Sequence, residues 1–181
     1  MQEIATVLEA ARYEVFLPQR DGIEMSRVHQ DLVARGMPDA TARDILARSI
    51  FLIDTYQVAH CDGLILNLNG RVPDEGAMVE AGIAWGLHKP VVIYKNDGRS
   101  AVLGDDNPLV LGLSSFRTVK DIAEIPGEFG RHFANGYSRS IPDLGRPENR
   151  NLKRGRAIHS LLSKQCLSPS RAQRLKRILQ E

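Results

Sequence analysis

The 181-residue sequence has few of the features that mark disulfide, metal or membrane proteins. Its two cysteines, Cys61 and Cys166, lie far apart and form no CxxC pair, so neither a disulfide framework nor a zinc site is predicted. The five histidines show no paired ligand spacing. No apolar run approaches the length of a membrane-spanning helix, and the start does not resemble a signal peptide. We therefore predict a soluble, cytoplasmic protein without a metal or other cofactor.

The formal net charge is only +2, but the charges are unevenly distributed. Residues 127–181 contain 12 Lys/Arg against 4 Asp/Glu, whereas residues 1–126 contain 12 against 18. A chain of this length can form one α/β domain and a small appendage. We predict an acidic domain over residues 1–126, followed by a basic helical extension over residues 127–181.

The basic extension contains two helix-like stretches, residues 151–165 and 168–180. Ser168 followed by Pro169 is a typical helix start, because Pro fits the first helical position. Basic helices can contact nucleic acid, but more often they are solvated or pack on an acidic subunit. The acidic part of the chain offers such a partner, so we do not expect a nucleic-acid partner.

Strands and helices are predicted to alternate along the first 126 residues. The predicted strands are residues 13–17, 63–68, 90–94 and 116–119. The predicted helices are residues 2–12, residues 41–59 with Thr41 as cap and Leu46, Ile50 and Ile53 facing inward, and the segment around Glu80 to about His88. Residues 19–38 are predicted to be a long loop that can include a short helix, and residues 95–108 are predicted to be a loop. This order predicts an α/β fold: a Rossmann-like or flavodoxin-like parallel sheet with helices on both faces.

One strand is missing from this pattern, because parallel α/β domains normally begin with a strand and this chain begins in a predicted helix. In a flavodoxin-like order the first strand lies between the second and the third, so its absence leaves unpaired backbone in mid-sheet. Three explanations are open. The chain lacks its natural start, another chain supplies the strand, or the strand order is unusual.

The helix around Glu80 carries the most informative residues. Glu80 has Gly76 and Ala77 one turn before it and Ala84 one turn after it, so it is expected on a buried face. Burying an unpaired carboxylate is costly, and such residues are usually paired or used in chemistry. Asp74 supplies a second carboxylate at the turn that opens the helix. The two carboxylates predict a catalytic pair, while Trp85 and Met78 are predicted to be core residues.

Over about residues 9–125 the sequence resembles the nucleoside 2-deoxyribosyltransferase family. The resemblance depends on Ile53-Asp54-Thr55, on Cys61-Asp62-Gly63 and on the run Pro73-Asp-Glu-Gly-Ala-Met-Val-Glu80-Ala-Gly82. The segments Lys95–Ser100 and Asp106-Asn107-Pro108 are also similar to family segments. The opening strand of the family and its Tyr-x-Gly-Pro-like loop have no counterpart here.

The resemblance implies base exchange between a nucleoside and a free nucleobase, or hydrolysis, without a cofactor. Glu80 would be the nucleophile that attacks the anomeric carbon of the sugar. Asp54 would donate a proton to the leaving base and accept one from the incoming base. Asp74 would bind a sugar hydroxyl, although an Asp at this position can equally cap the helix.

Further substrate contacts are implied for Asn107, Gln19 and Gly76. By resemblance, Asn107 reaches the sugar in the site of a neighbouring subunit, which implies at least a dimer; it could also be a turn residue before Pro108. Gln19 begins a loop that borders the base pocket by analogy. Gly76 lies beside Asp74 at the start of the helix.

Two alternatives remain from the sequence. The first is a nucleoside 5′-monophosphate N-glycosidase, but Asp74 at the sugar end would repel a phosphate. The second is a non-catalytic nucleotide-binding module or one half of a two-chain enzyme, which the missing strand suggests. The base, the choice between ribose and deoxyribose, and the acceptor stay open.

Overall fold

The computed structural model describes residues 1–70, 74–98, 106–135, 149–163 and 168–180. Helices and short strands alternate through the middle of the chain, and the elements described after β3 are helical. The elements are α1 (Gln2–Ala10), α2 (Pro18–Asp21), α3 (Met25–Ala34), α4 (Asp39–His60), β1 (Leu64–Asn67), α5 (Glu75–Gly86), β2 (Val91–Tyr94), α6 (Pro108–Gly112), β3 (Thr118–Val119), a 3-10 turn (Ile122–Glu124), α7 (Ile125–Ala134), α8 (Arg150–Leu162) and α9 (Pro169–Gln180).

By its internal contacts the chain forms two compact units. The sheet unit consists of Met1–Arg20 and Cys61–Ile141, and the helical unit consists of Asp21–His60 and Pro142–Glu181. The second unit therefore combines α3 and α4 with the basic helices α8 and α9. The independent extension over residues 127–181 stays a prediction.

The sheet has three described strands, all parallel, in the order β1-β2-β3. Leu64 lies opposite Val91, and Ile93 lies opposite Thr118. Parallel strands need a crossover connection, and α5 provides it between β1 and β2. The predicted strands at 63–68, 90–94 and 116–119 are therefore confirmed.

Apolar side chains on both faces of the strands explain why these short runs form a sheet. One face contributes to a cluster with α1 and α7, whose buried members are Ile4, Leu8, Val92, Val119, Ile125 and Phe129. The alternate residues Leu66, Val91 and Ile93 point to the opposite face and are almost fully buried. α5 contacts both β1 and β2. This arrangement is the predicted α/β Rossmann-like fold, with a helical C-terminal part.

The predicted strand at residues 13–17 is wrong: the segment forms neither strand nor helix. It keeps the alternation of a strand, because Tyr13 and Val15 are half-buried and Leu17 is buried, while Glu14 and Phe16 are exposed. An apolar alternation cannot make a strand without a neighbour to pair with. In the described part of the chain, no strand forms a ladder with this segment.

Three predictions about helices also need correction. The segment 19–38, predicted as a long loop with room for a short helix, is more helical than expected. It contains most of α2 and the ten-residue α3, where Val28 and Leu32 are buried one turn apart on one face. α4 begins at Asp39 rather than after Thr41, so Thr41 lies inside the helix. Leu46 and Ile53 are buried as expected, but Ile50 is exposed.

The helical unit has a core of its own. α4 packs along α8, and α3 and α9 pack against the pair. The buried members of this core are Val28, Leu32, Ala42, Ile45, Leu46, Leu52, Ile53, Ile158, Leu161, Leu162, Leu175 and Ile178. The predicted start of α9 is confirmed, since the Ser168 hydroxyl accepts a hydrogen bond from the Arg171 amide at 3.4 Å.

Candidate functional site

Asp74 directly precedes α5, in the connection that follows the carboxyl end of β1. Its carboxylate Oδ1 accepts a hydrogen bond from the Ala77 backbone amide at 3.1 Å, which caps the helix. Gly76 leaves room for this cap, because a Cβ at that position would lie 3.3 Å from Asp74 Oδ1. The carboxylate is exposed, so capping leaves it accessible to a ligand at the positive end of the helix dipole.

Glu80 lies in the middle of α5 and is half-buried, not fully buried as the sequence suggested. Ala81 and Ala84 mark the buried face of the helix, and Glu80 lies at its margin, one residue before Ala81 and one turn before Ala84. The side chain takes part in an interaction within the protein. A half-buried carboxylate at this margin is held in place and still has access to solvent.

The remaining surface of α5 is unusually apolar. Trp85 is 57% exposed and Val79 is 60% exposed, so the prediction that Trp85 is a core residue is wrong. Met78 is half-buried. Sequence periodicity could not separate these faces, because apolar residues occur on every side of this helix.

A group of polar residues joins the loops that follow β1 and β2. Asn69 Oδ1 accepts hydrogen bonds from the backbone amides of Asn96 at 2.9 Å and Asp97 at 3.0 Å. In return, Asp97 Oδ2 accepts the Gly70 amide at 2.9 Å. Asn67 Oδ1 accepts hydrogen bonds from both the backbone amide and the side-chain Nδ2 of Asn69. The two loops are therefore linked side chain to backbone in both directions.

Lys95 extends this group to the segment before α6. Its ammonium Nζ lies 2.5 Å from Asp106 Oδ1 and 3.8 Å from Asp97 Oδ1. The backbone amide of Lys95 donates to the Val119 carbonyl at 2.9 Å, so the residue is fixed at the end of the sheet. We call Asn67, Asn69, Gly70, Lys95, Asn96, Asp97 and Asp106 the loop clamp.

Asn107 and Gln19 lie at the surface of the sheet unit. Asn107 is the N-terminal cap of α6, and its Oδ1 accepts the Leu109 amide at 2.9 Å. It directly follows Asp106 of the loop clamp. Gln19 is exposed on α2, beside Arg20, whose guanidinium pairs with Glu9 at 2.7 Å.

Asp54 belongs to the helical unit, near the carboxyl end of α4. It is half-buried, next to the buried Ile53 and one turn before the buried Val58. Partial burial removes water from the carboxyl group and raises its pKa above the ordinary value. The carboxyl therefore keeps its proton to a higher pH than an exposed aspartate, as a proton donor requires.

The structure thus places Asp74, Gly76 and Glu80 on one helix and attaches the segment of Asn107 to the sheet through Lys95. The sequence did not predict the loop clamp. It showed only that the segments around Lys95 and Asp106 resemble segments of the family. The signal of the clamp is a run of Asn, Asp and Gly directly after two apolar strands, where sites of parallel sheets form.

No metal ligand set or membrane helix emerges from the described ranges. Within them, no three His, Cys, Asp or Glu side chains come together in a way that could hold a metal ion. Burial raises the pKa of the Cys61 thiol, which disfavours the reactive thiolate. In the part of the chain that the structure describes, no helix has both the length and the apolarity needed to cross a bilayer.

The chain is similar to a known protein family. The family model for nucleoside 2-deoxyribosyltransferase matches residues 1–149, which include the three described strands, α5, the loop clamp and Asp54. No curated protein and no solved structure matches the chain. Because the family model covers most of the sequence, the chain belongs to the nucleoside 2-deoxyribosyltransferase family.

Proposed function

We propose that this protein breaks the N-glycosidic bond of a nucleoside or deoxynucleoside through a covalent intermediate on Glu80. The observation that carries the proposal is α5 itself: a half-buried Glu80 lies on the same helix as the exposed, helix-capping Asp74. A carboxylate near the anomeric carbon can trap the oxocarbenium-like state that forms when such a bond breaks.

In the proposed reaction, a Glu80 oxygen forms a bond to the anomeric carbon while the bond from that carbon to the base nitrogen breaks. The electron pair of the broken bond stays on the base nitrogen, which takes a proton from Asp54. A second base then attacks the same carbon, releases Glu80 and returns a proton to Asp54. Water in place of the second base gives hydrolysis.

Asp74 and Asn107 are proposed to bind the sugar, and Gln19 the base. The two sugar ligands are also helix caps, and a cap uses only part of the hydrogen-bonding capacity of a carboxylate or amide. Gly76 supports the Asp74 side chain, since any larger residue would press on its capping oxygen.

The nucleophile can be tested by labelling and substitution. We expect Glu80→Ala to lose base exchange by at least roughly a thousandfold while keeping its circular dichroism spectrum. A 2-fluoro-substituted nucleoside should add one sugar to the intact mass, and peptide mass spectra should locate it on Glu80. Val79→Ala on the same helix is the matched control and should keep labelling. A label on another residue, or full activity of Glu80→Ala, refutes the assignment.

A nucleoside 5′-monophosphate N-glycosidase is the second candidate of the same chemistry. The exposed Asp74 carboxylate at the start of α5 disfavours it, because a phosphate near the sugar would be repelled. Turnover of a nucleoside and of its 5′-monophosphate, measured side by side, separates the two functions. Preference for the monophosphate would refute our choice.

We also propose that the active form is at least a dimer, in which a strand from a partner chain or a second copy pairs with β1. Among the described strands, β1 lies at an edge of the sheet and has one neighbour, β2. Unpaired sheet edges favour strand addition. Light scattering and a base-exchange assay, on this chain alone and with an added N-terminal strand, test the proposal; a fully active monomer refutes it.

A further inference from the structure

The loop clamp contains three charged side chains that are largely removed from water. The Lys95 side chain is only 12% exposed, and those of Asp97 and Asp106 are 18% and 21% exposed. Removing three charges from water is costly, and their mutual attraction offsets that cost only when the geometry is well defined. The three charged groups are therefore expected to keep one well-defined arrangement.

The Lys95 ammonium contacts two carboxylates, those of Asp106 and Asp97. Through Asp106 it holds the residue that directly precedes Asn107, the cap of α6. Through Asp97 it reaches the Gly70 amide, four residues before Asp74 in sequence. The backbone amide of Lys95 donates a hydrogen bond to the carbonyl of Val119 in β3, so both contacts start from the end of the sheet.

From this geometry we infer that Lys95 is a positioning residue for the sugar site. It fixes the Asn107 segment and the Gly70 backbone after β1 in one arrangement, and it acts through Asp106 and Asp97 without contacting the substrate. The inference deepens the proposed function and rests on it. Without the ammonium, the carboxylates of Asp97 and Asp106 would repel each other across the gap and the two segments would separate.

Kinetics of an isosteric variant test the inference. We expect Lys95→Met to raise KM for the nucleoside by roughly tenfold and to change kcat by less than about threefold, because binding groups are displaced while Glu80 and Asp54 are unchanged. Lys95→Arg keeps the positive charge and should recover most of the lost affinity. Arg48→Met removes an ion pair of similar length, Arg48 to Asp44 at 2.9 Å, on the exposed face of α4, and should leave KM unchanged.

A double substitution shows whether Lys95 acts through the Asn107 segment. In the Asn107→Ala background, Lys95→Met should raise KM by a clearly smaller factor than in the wild-type background. Equal factors in both backgrounds would overturn the inference. An equal fall of kcat and kcat/KM in Lys95→Met, without recovery by Lys95→Arg, would also overturn it in favour of a general structural role.

Hydrogen exchange provides a readout that does not depend on turnover. The Gly70 amide donates to Asp97, so it should exchange faster in Lys95→Met, as should the amides of α6 that follow Asn107. The Ala123 amide, which donates to the Asp121 carboxylate outside the clamp, should not change. A wild-type protein inactive on every nucleoside would refute the proposed function, whereas unchanged exchange at Gly70 would overturn the role of Lys95.

Discussion

The contact of α8 with α4 depends on one residue without a side chain, Gly155. A Cβ built at Gly155 would lie 2.0 Å from the Leu52 carbonyl oxygen and 2.8 Å from Tyr56 Cβ. Ordinary van der Waals contacts of a Cβ begin near 3.4 Å, and the nearest obstacle here is backbone. Gly155→Ala should therefore move α4 and α8 more than about an ångström apart at the point where they cross.

The expected cost follows from two opposing effects. Overpacking a tight core typically costs about 1–3 kcal/mol, and a backbone obstacle favours the upper end of that range. Alanine in place of glycine stabilises a helix interior by up to about 1 kcal/mol. The net loss should be about 2 kcal/mol, which lowers Tm by roughly 4–8 °C in a chain of this size.

Thermal and urea unfolding, followed by circular dichroism, measure this loss. Gly130→Ala in α7 is the matched control, because nothing lies within 4 Å of a Cβ at that position. It should be neutral or stabilising by up to about 1 kcal/mol. A Gly155→Ala protein as stable as the wild type would show that α4 and α8 do not cross as closely as described.

Three further predictions concern the carboxylates. If Asp54 is the proton donor, Asp54→Asn should cut activity on natural nucleosides far more than on substrates with activated leaving groups; equal losses would indicate a structural role. The raised pKa of Asp54 makes ionisation costly in the folded state, so Asp54→Asn should stabilise the protein at neutral pH, and the gain should vanish at a pH below the ordinary aspartate range of about 4; a pH-independent gain in Tm contradicts this. Asp74→Ser should keep the cap of α5 and its stability but raise KM, whereas Asp74→Ala should also lose about 1 kcal/mol; unchanged KM in both would remove Asp74 from the sugar site.

Many elements of the fold follow from local sequence alone. The runs at 63–68 and 90–94 are largely apolar at consecutive positions, as is typical of strands that are covered on both faces. Both runs form strands. Ser168 and Pro169 predicted the start of α9 because a cap acts on its own backbone. Family membership also followed from the sequence, since the spacing of Asp54, Asp62, Asp74 and Glu80 is a property of the chain and not of its packing.

Tertiary structure decided what depends on a partner elsewhere in the chain. Residues 13–17 alternate like a strand but form none, because a ladder needs a neighbouring strand. Trp85 and Ile50 were expected inside and are exposed, because burial depends on which face of a helix meets other elements. The loop clamp joins residues 27 or 28 positions apart, such as Asn69 and Asp97, and no local pattern specifies such a contact. Its strength comes from charges and amides that meet only after the parallel strands have brought their carboxyl ends together.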